Sequence, residues 1–169
     1  FNGLESLGID TTIREHLHRH ADFNFDLKFD TAEIFFFREE VVDGKSQRVE
    51  NIKISRGEEN LFIWCFFLAI LQLAIEAEKG SPYDWVKYVY IDDPISSLDE
   101  HNTIGLASDL AGILKVAKGS TKVLISTHHG LFFNIMFNEL DGKWAPDAPE
   151  NIRKKAYILH RTDASADLV

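Results

Sequence analysis

The chain has 169 residues, the length of one domain or part of one, and with 45% hydrophobic residues and 13 Phe it can bury a real core. A formal net charge of −9 argues against non-specific nucleic-acid binding, so any RNA or DNA contact needs a local patch or another domain. Cys65 is the one cysteine, which excludes a disulfide framework and a Cys-based metal site and fits a reducing, cytoplasmic compartment. The opening "FNGLESLGID" has neither the basic flank nor the long apolar stretch of a signal peptide, and without an initiator Met a fragment is expected.

Residues 4–20 read as a helix. In "FNFDLKFD", Phe23, Phe25, Leu27 and Phe29 alternate with polar residues, the period of a half-buried strand. "AEIFFFREE" and "RVENIKI" read as two further strands around an Asp43-Gly44 hairpin turn. From Leu61 to Ile75 only Gln72 is polar. That run is short for a membrane span, so a helix buried on all sides is expected, with Glu58 and Glu59 at its start and Lys79-Gly80 at its end. "VKYVYI" (86–91) reads as a strand. Ile104, Ala107, Leu110, Ala111, Leu114 and Ala117 then mark one face of a helix that Gly119 can terminate. "KVLIS" (122–126) is a second apolar strand and "HGLFFNIMFNEL" a helix, followed by a loop over 141–150 and a last strand, "KAYILH". Strand–helix–strand with apolar strands predicts a parallel pair joined by a right-handed crossover.

Three stretches could carry chemistry. "YVYIDDP" places Asp92 and Asp93 at the C-terminal end of a buried strand, where α/β proteins bind ligands. Asp92 could hold Mg²⁺ through water and Asp93 could orient or deprotonate an attacking water. The alternative is a solvated turn with a helix cap. In "ISRGEEN", Ser55-x-x-Glu58 is a capping box. A hydroxyl, Gly57 and a helix N-terminus together suit an anion, with Arg56 adding charge; the alternative is simply a good cap with Arg56 in solvent. In "LISTHH", a strand ends in Thr127 and His128, and His128 could donate a hydrogen bond to a γ-phosphate or be structural.

Taken in order, these stretches resemble the C-terminal part of an ABC-type ATPase domain. "ISRGE" is similar to the ABC signature, "YVYIDDP" to Walker B, "SSLD" to the D-loop and "STHH" to the switch-histidine loop. The resemblance covers about residues 50 to 130 and implies a head-to-tail dimer closing over two nucleotides, ATP or GTP with Mg²⁺. Ser55 and Gly57, with Arg56 and Glu58 beside them, would meet the γ-phosphate held by the opposite subunit. Asp92 would serve Mg²⁺, Asp93 would be the catalytic carboxylate, Ser97 and Asp99 would form the D-loop, and His128 would contact the γ-phosphate. The catalytic position is usually Glu; Asp is one methylene shorter, so slow hydrolysis or a different closure is expected. A narrower resemblance, carried by "ISRGEENLFIWCFFLAILQLAIE", "YIDDPISSLDEHN" and "STHHGLFFNIMFNEL", is to the ATPase domain of the PrrC and RloC anticodon nucleases. That family implies a tRNA-cleaving C-terminal domain missing here, and a link to type I DNA restriction-modification complexes in phage defence.

Two patterns are decoys. "EEVVDGKS" sets Gly44, Lys45 and Ser46 in the register of a Walker A loop, but Glu39 replaces the first Gly and a strand follows where a helix must. The true Walker A is expected upstream of Phe1. His16 and His20 in "EHLHRH" share a helix face, but without a third ligand of evident spacing a solvated face is expected. The Trp and Phe residues are assigned to the core.

The expected fold is thus α/β: the C-terminal lobe of a parallel-sheet P-loop NTPase of the ABC type, with a small antiparallel β segment on its N-terminal side. Residues 1–53 would hold the first helix and the antiparallel strands, and 54–169 the signature helix, Walker B, D-loop and switch-His region. The expected function is a nucleotide-hydrolysing part of an anticodon nuclease with no membrane partner, the fragment alone being inactive. A DNA-repair or chromosome-maintenance ATPase, another defence ATPase and a non-hydrolysing interaction module are the rivals.

Overall fold

The computed structural model describes residues 2–95, 98–116, 121–141, 159–161 and 166–168. Where one helix over 4–20 is expected, there are two, α1 (Asn2–Glu5) and α2 (Ile9–Leu17). Gly8 separates them with φ 65°, a left-handed backbone that a right-handed helix cannot include. The strands β1 (Phe23–Lys28), β2 (Glu33–Val42) and β3 (Lys45–Glu50) form an antiparallel sheet in that order. Asp43 and Gly44 both take positive φ, 52° and 74°, so "DGKS" is the tip of a hairpin, as expected.

The core gathers on α3 (Arg56–Ile75), which buries Leu61, Phe62, Cys65, Leu68, Ala69, Leu71, Ala74 and Ile75. Phe62 meets the rings of Phe25 and Phe36 edge-on at 5.0 and 5.2 Å, fastening the antiparallel sheet to the helix. Burial pushes the Cys65 thiol up to about 12. Two expectations for this helix need correction. It is not buried on all sides, since Ile63 is exposed and Trp64, Phe66 and Phe67 are half-buried. At 20 residues it also outruns the apolar stretch, and among the described residues it is the one helix long and apolar enough to cross a membrane. It ends at Ile75, before Lys79-Gly80, and Gly80 turns the chain beyond it with φ 93°.

The strands β4 (Tyr88–Asp92) and β5 (Lys122–Ser126) pair in parallel, with α4 (Glu100–Lys115) between them in the chain. Val89, Ile91, Val123 and Ile125 turn to the core, while Tyr88, Tyr90 and Leu124 are exposed. The buried face of α4 is Thr103, Leu106, Ala107, Leu110, Ala111 and Ile113. Ile104, expected on that face, is exposed; Thr103 takes an inward place instead, its hydroxyl satisfied by the Asp99 carbonyl at 2.8 Å. Helix α5 (Gly130–Asp141) packs on α4, and β6 (Leu159–Arg161) pairs antiparallel with β7 (Ala166–Leu168). Asp141, expected in a loop, belongs to α5; the rest of that loop, Ala117, Gly119 and the start of "KAYILH" lie outside the described residues. Trp85, Phe133 and Phe137 are exposed rather than core, the two Phe rings stacking at 5.9 Å.

His16 and His20 do not face solvent; their side chains are 5% and 9% exposed. His20 Nε2 lies 2.9 Å from Asp109 Oδ2 on α4, Arg19 donates to Asp109 Oδ1 at 2.8 Å, and His16 Nε2 lies 3.1 Å from Gln72 Oε1. Burial opposes the charge on Asp109, but the His16 ring at 3.8 Å and hydrogen bonds from His20 and Arg19 win and hold its carboxyl well below the usual range. Among the described residues, no group of three or more His, Cys, Asp and Glu is placed to hold a metal ion.

Candidate nucleotide site

Apart from Ser97 and Asp99, the expected site residues fall in two clusters, and no hydrogen bond or ion pair between described residues joins them. The first is the start of α3. Ser55 accepts from the Glu58 N–H at 3.3 Å, and Glu58 Oε2 accepts from the Ser55 N–H at 2.7 Å, closing the capping box. Glu58 Oε1 accepts from Arg38 at 3.0 Å. The Ser55 backbone, then its hydroxyl, and Arg38 hold the Glu58 carboxyl below its ordinary value against the cost of burial. Glu58 therefore faces the cap and Arg38, while Arg56 and Gly57 stay exposed in the first turn. A Cβ on Gly57 would find only Ser55 Oγ, at 4.0 Å, so the approach to the helix N-terminus is open. Exposed N–H groups, the helix dipole and a neighbouring guanidinium suit an anion.

The second cluster sits at the C-terminal ends of β4 and β5. Asp93 turns the chain with φ 44°, unusual for a residue other than Gly, and its N–H is fixed to the Ser126 carbonyl at 2.8 Å. Its Oδ2 lies 2.7 Å from His128 Nδ1. Its Oδ1 accepts from Thr127 Oγ1 at 3.3 Å and from the His128 N–H at 3.4 Å. The two expected catalytic groups, far apart in sequence, are thus in contact, and His128 remains 77% exposed for a ligand. Asp92 is exposed, opposite Ser126 in the parallel register. Its all-oxygen surroundings, with Ser126 Oγ at 2.5 Å and Tyr90 Oη at 3.1 Å, fit a hard cation held partly through water.

Asp99 caps α4, accepting from the Asn102 N–H at 2.9 Å and from its side-chain amide at 2.7 Å; the backbone bond leads in lowering its carboxyl below the ordinary value. Ser97 lies outside the described residues. Sequence reasoning missed Tyr90, Ser126 and Arg38, although the period of two in β4 puts Tyr90 on the same face as Asp92.

The parallel strands, the acid–His pair at their ends and the separate helix N-terminus define an α/β lobe of the P-loop NTPase type. The family model described as AAA domain matches residues 11–168, and the chain belongs to that family. It is 39% identical over 150 residues to an Escherichia coli protein named anticodon nuclease, covering 83% of this chain and 37% of the relative's length. Among solved structures it is similar to a chain from work on ATP-driven dimerisation and DNA-stimulated activation of SMC ATPases. The TM-score is 0.54 at 16% identity, over 95% of this chain and 81% of that one, and this likeness shows the fold.

Proposed function

We propose that the chain is the C-terminal part of an ABC-type nucleotide-hydrolysing domain that regulates a tRNA-cleaving nuclease of the anticodon-nuclease kind. The contact of His128 with Asp93 at the end of a parallel strand carries the reading, supported by the AAA domain match and the Escherichia coli relative. A carboxylate within 2.7 Å of an imidazole can accept a proton from water while the imidazole reports on the γ-phosphate. Asp93 is held on both oxygens, so its orientation is set before substrate arrives. Mg²⁺, when bound, would neutralise charge on the β- and γ-phosphates, with Asp92 as its protein-side oxygen donor.

Ser55, Arg56 and Gly57 would contact the γ-phosphate on a second copy of the domain, with Asp99 lining the same junction. Residues 54–169 would then act as the signature, Walker B and switch-His region, and 1–53 as the segment that braces α3. Phage defence, a restriction-modification partner and a cytoplasmic location complete the reading. The full-length protein with tRNA, Mg²⁺ and ATP or GTP, and Asp93→Asn alongside, tests it. Cuts in an anticodon loop that change with nucleotide and with the variant are expected. Nucleotide turnover without RNA cleavage would contradict the nuclease link, and neither activity in a folded dimer would leave an interaction module.

A further inference from the structure

The exposed face of β4 and β5 carries three oxygens in mutual contact. Tyr90 precedes Asp92 by two residues, so both side chains leave the strand on one side, and the parallel register sets Ser126 opposite Asp92. Ser126 Oγ donates to Asp92 Oδ1 at 2.5 Å, Tyr90 Oη lies 3.1 Å from the same oxygen, and the two hydroxyls are 3.0 Å apart. Two hydroxyl hydrogens serve this triangle. The shortest edge takes the Ser126 hydrogen, and that of Tyr90 goes to Oδ1 or to Ser126 Oγ. Either arrangement ties down Oδ1 and leaves Oδ2 without a hydrogen-bond partner among the described residues. Tyr90 is 61% exposed, so its ring is not held there by burial in the core.

We propose that Tyr90 and Ser126 are positioning residues for Asp92, clamping one carboxylate oxygen so that the other meets the hydration shell of the nucleotide's divalent cation. This rests on the reading of Asp92 as the metal-side carboxylate. An exposed Asp that rotates freely loses side-chain entropy when it engages a cation; one already held by two hydroxyls loses less. Donors behind a ligating carboxylate fix its orientation, and their loss weakens metal binding.

The test is a Mn²⁺ titration of the full-length protein with nucleotide bound, read by electron paramagnetic resonance, together with the Mg²⁺ dependence of hydrolysis. Tyr90→Phe and Ser126→Ala are each expected to weaken Mn²⁺ binding about tenfold and to raise the Mg²⁺ half-saturation by the same factor. Ser126→Thr, which keeps a hydroxyl, should restore the affinity. Asp92→Asn separates the two ideas. If it weakens Mn²⁺ binding while Tyr90→Phe and Ser126→Ala bind as wild type, the positioning role is overturned and the metal-side reading of Asp92 stands. If Asp92→Asn binds as wild type, both fall.

Discussion

Asp93 and Asp109 show how the same side chain serves opposite ends. Asp93 is held by His128, Thr127 and a backbone N–H at a strand end, with its histidine partner open to solvent. In the proposed mechanism Asp93 is the base, and Asp93→Asn keeps the shape while removing it. Hydrolysis by the full-length protein should fall by about a hundredfold or more while nucleotide affinity stays near wild type, as steady-state turnover and equilibrium binding would register. Asp109 is instead enclosed by His16, His20 and Arg19. Its folded carboxyl lies below its ordinary 3.8, so its charge stabilises the fold above that value and the contribution is lost as pH falls through the depressed folded value. Asp109→Asn should cost about 3 kcal/mol near neutrality. Urea unfolding at about pH 7 and about pH 3 should show the gap to wild type shrinking in acid.

The elements explain why these residues meet. Helix α4 passes close enough to the turn after α2 that a Cβ on Gly105 would come within 2.5 Å of the His20 ring, so Gly105 is required by approach rather than by backbone angle. Gly105→Ala should destabilise by about 1–3 kcal/mol through displacement of His20 from Asp109, measurable by thermal unfolding. At the start of α3, Ser55→Ala removes the hydroxyl cap and should cost about 1 kcal/mol, on top of any effect on nucleotide. Strands and caps were legible because alternation in "FNFDLKF" and the Ser55-x-x-Glu58 spacing are local signals. The orientation of α3 was not, since a run with one polar residue has no period to give it a face. On α4 the apolar pattern misled at Ile104, because Thr103 hides its hydroxyl on Asp99 and enters the core as a small apolar residue would. His16 and His20 were misread for a related reason: their hydrogen-bond partners, Gln72 and Asp109, lie 56 and 89 residues away and leave no mark on the local pattern.

For the whole molecule, the meaningful feature is separation. The helix N-terminus with Ser55, Arg56 and Gly57 and the strand ends with Asp92, Asp93 and His128 make no direct hydrogen bond or ion pair among the described residues. Trp64, two turns along α3, is what reaches the Asp93 side, through its indole N–H to the Pro94 carbonyl. Eight residues of helix put Arg56 about 12 Å from that contact along the axis. In the proposed head-to-tail dimer the two clusters would be half-sites, each completed by a second copy. Their order was legible in the sequence, and so was the parallel pairing of β4 with β5, from the strand–helix–strand pattern; the Asp93–His128 contact was not, because it also needs the positive-φ turn at Asp93.

Mixed dimers test this central claim most directly. Ser55→Arg and Asp93→Asn, each inactive as a homodimer, would be co-expressed as full-length chains and the isolated heterodimer assayed for nucleotide hydrolysis. If the site is shared between copies, one of its two sites combines native Ser55 from one chain with native Asp93 from the other, and hydrolysis returns. If each chain completes its own site, both sites carry a defect and the heterodimer stays as inactive as its parents, which would contradict the account.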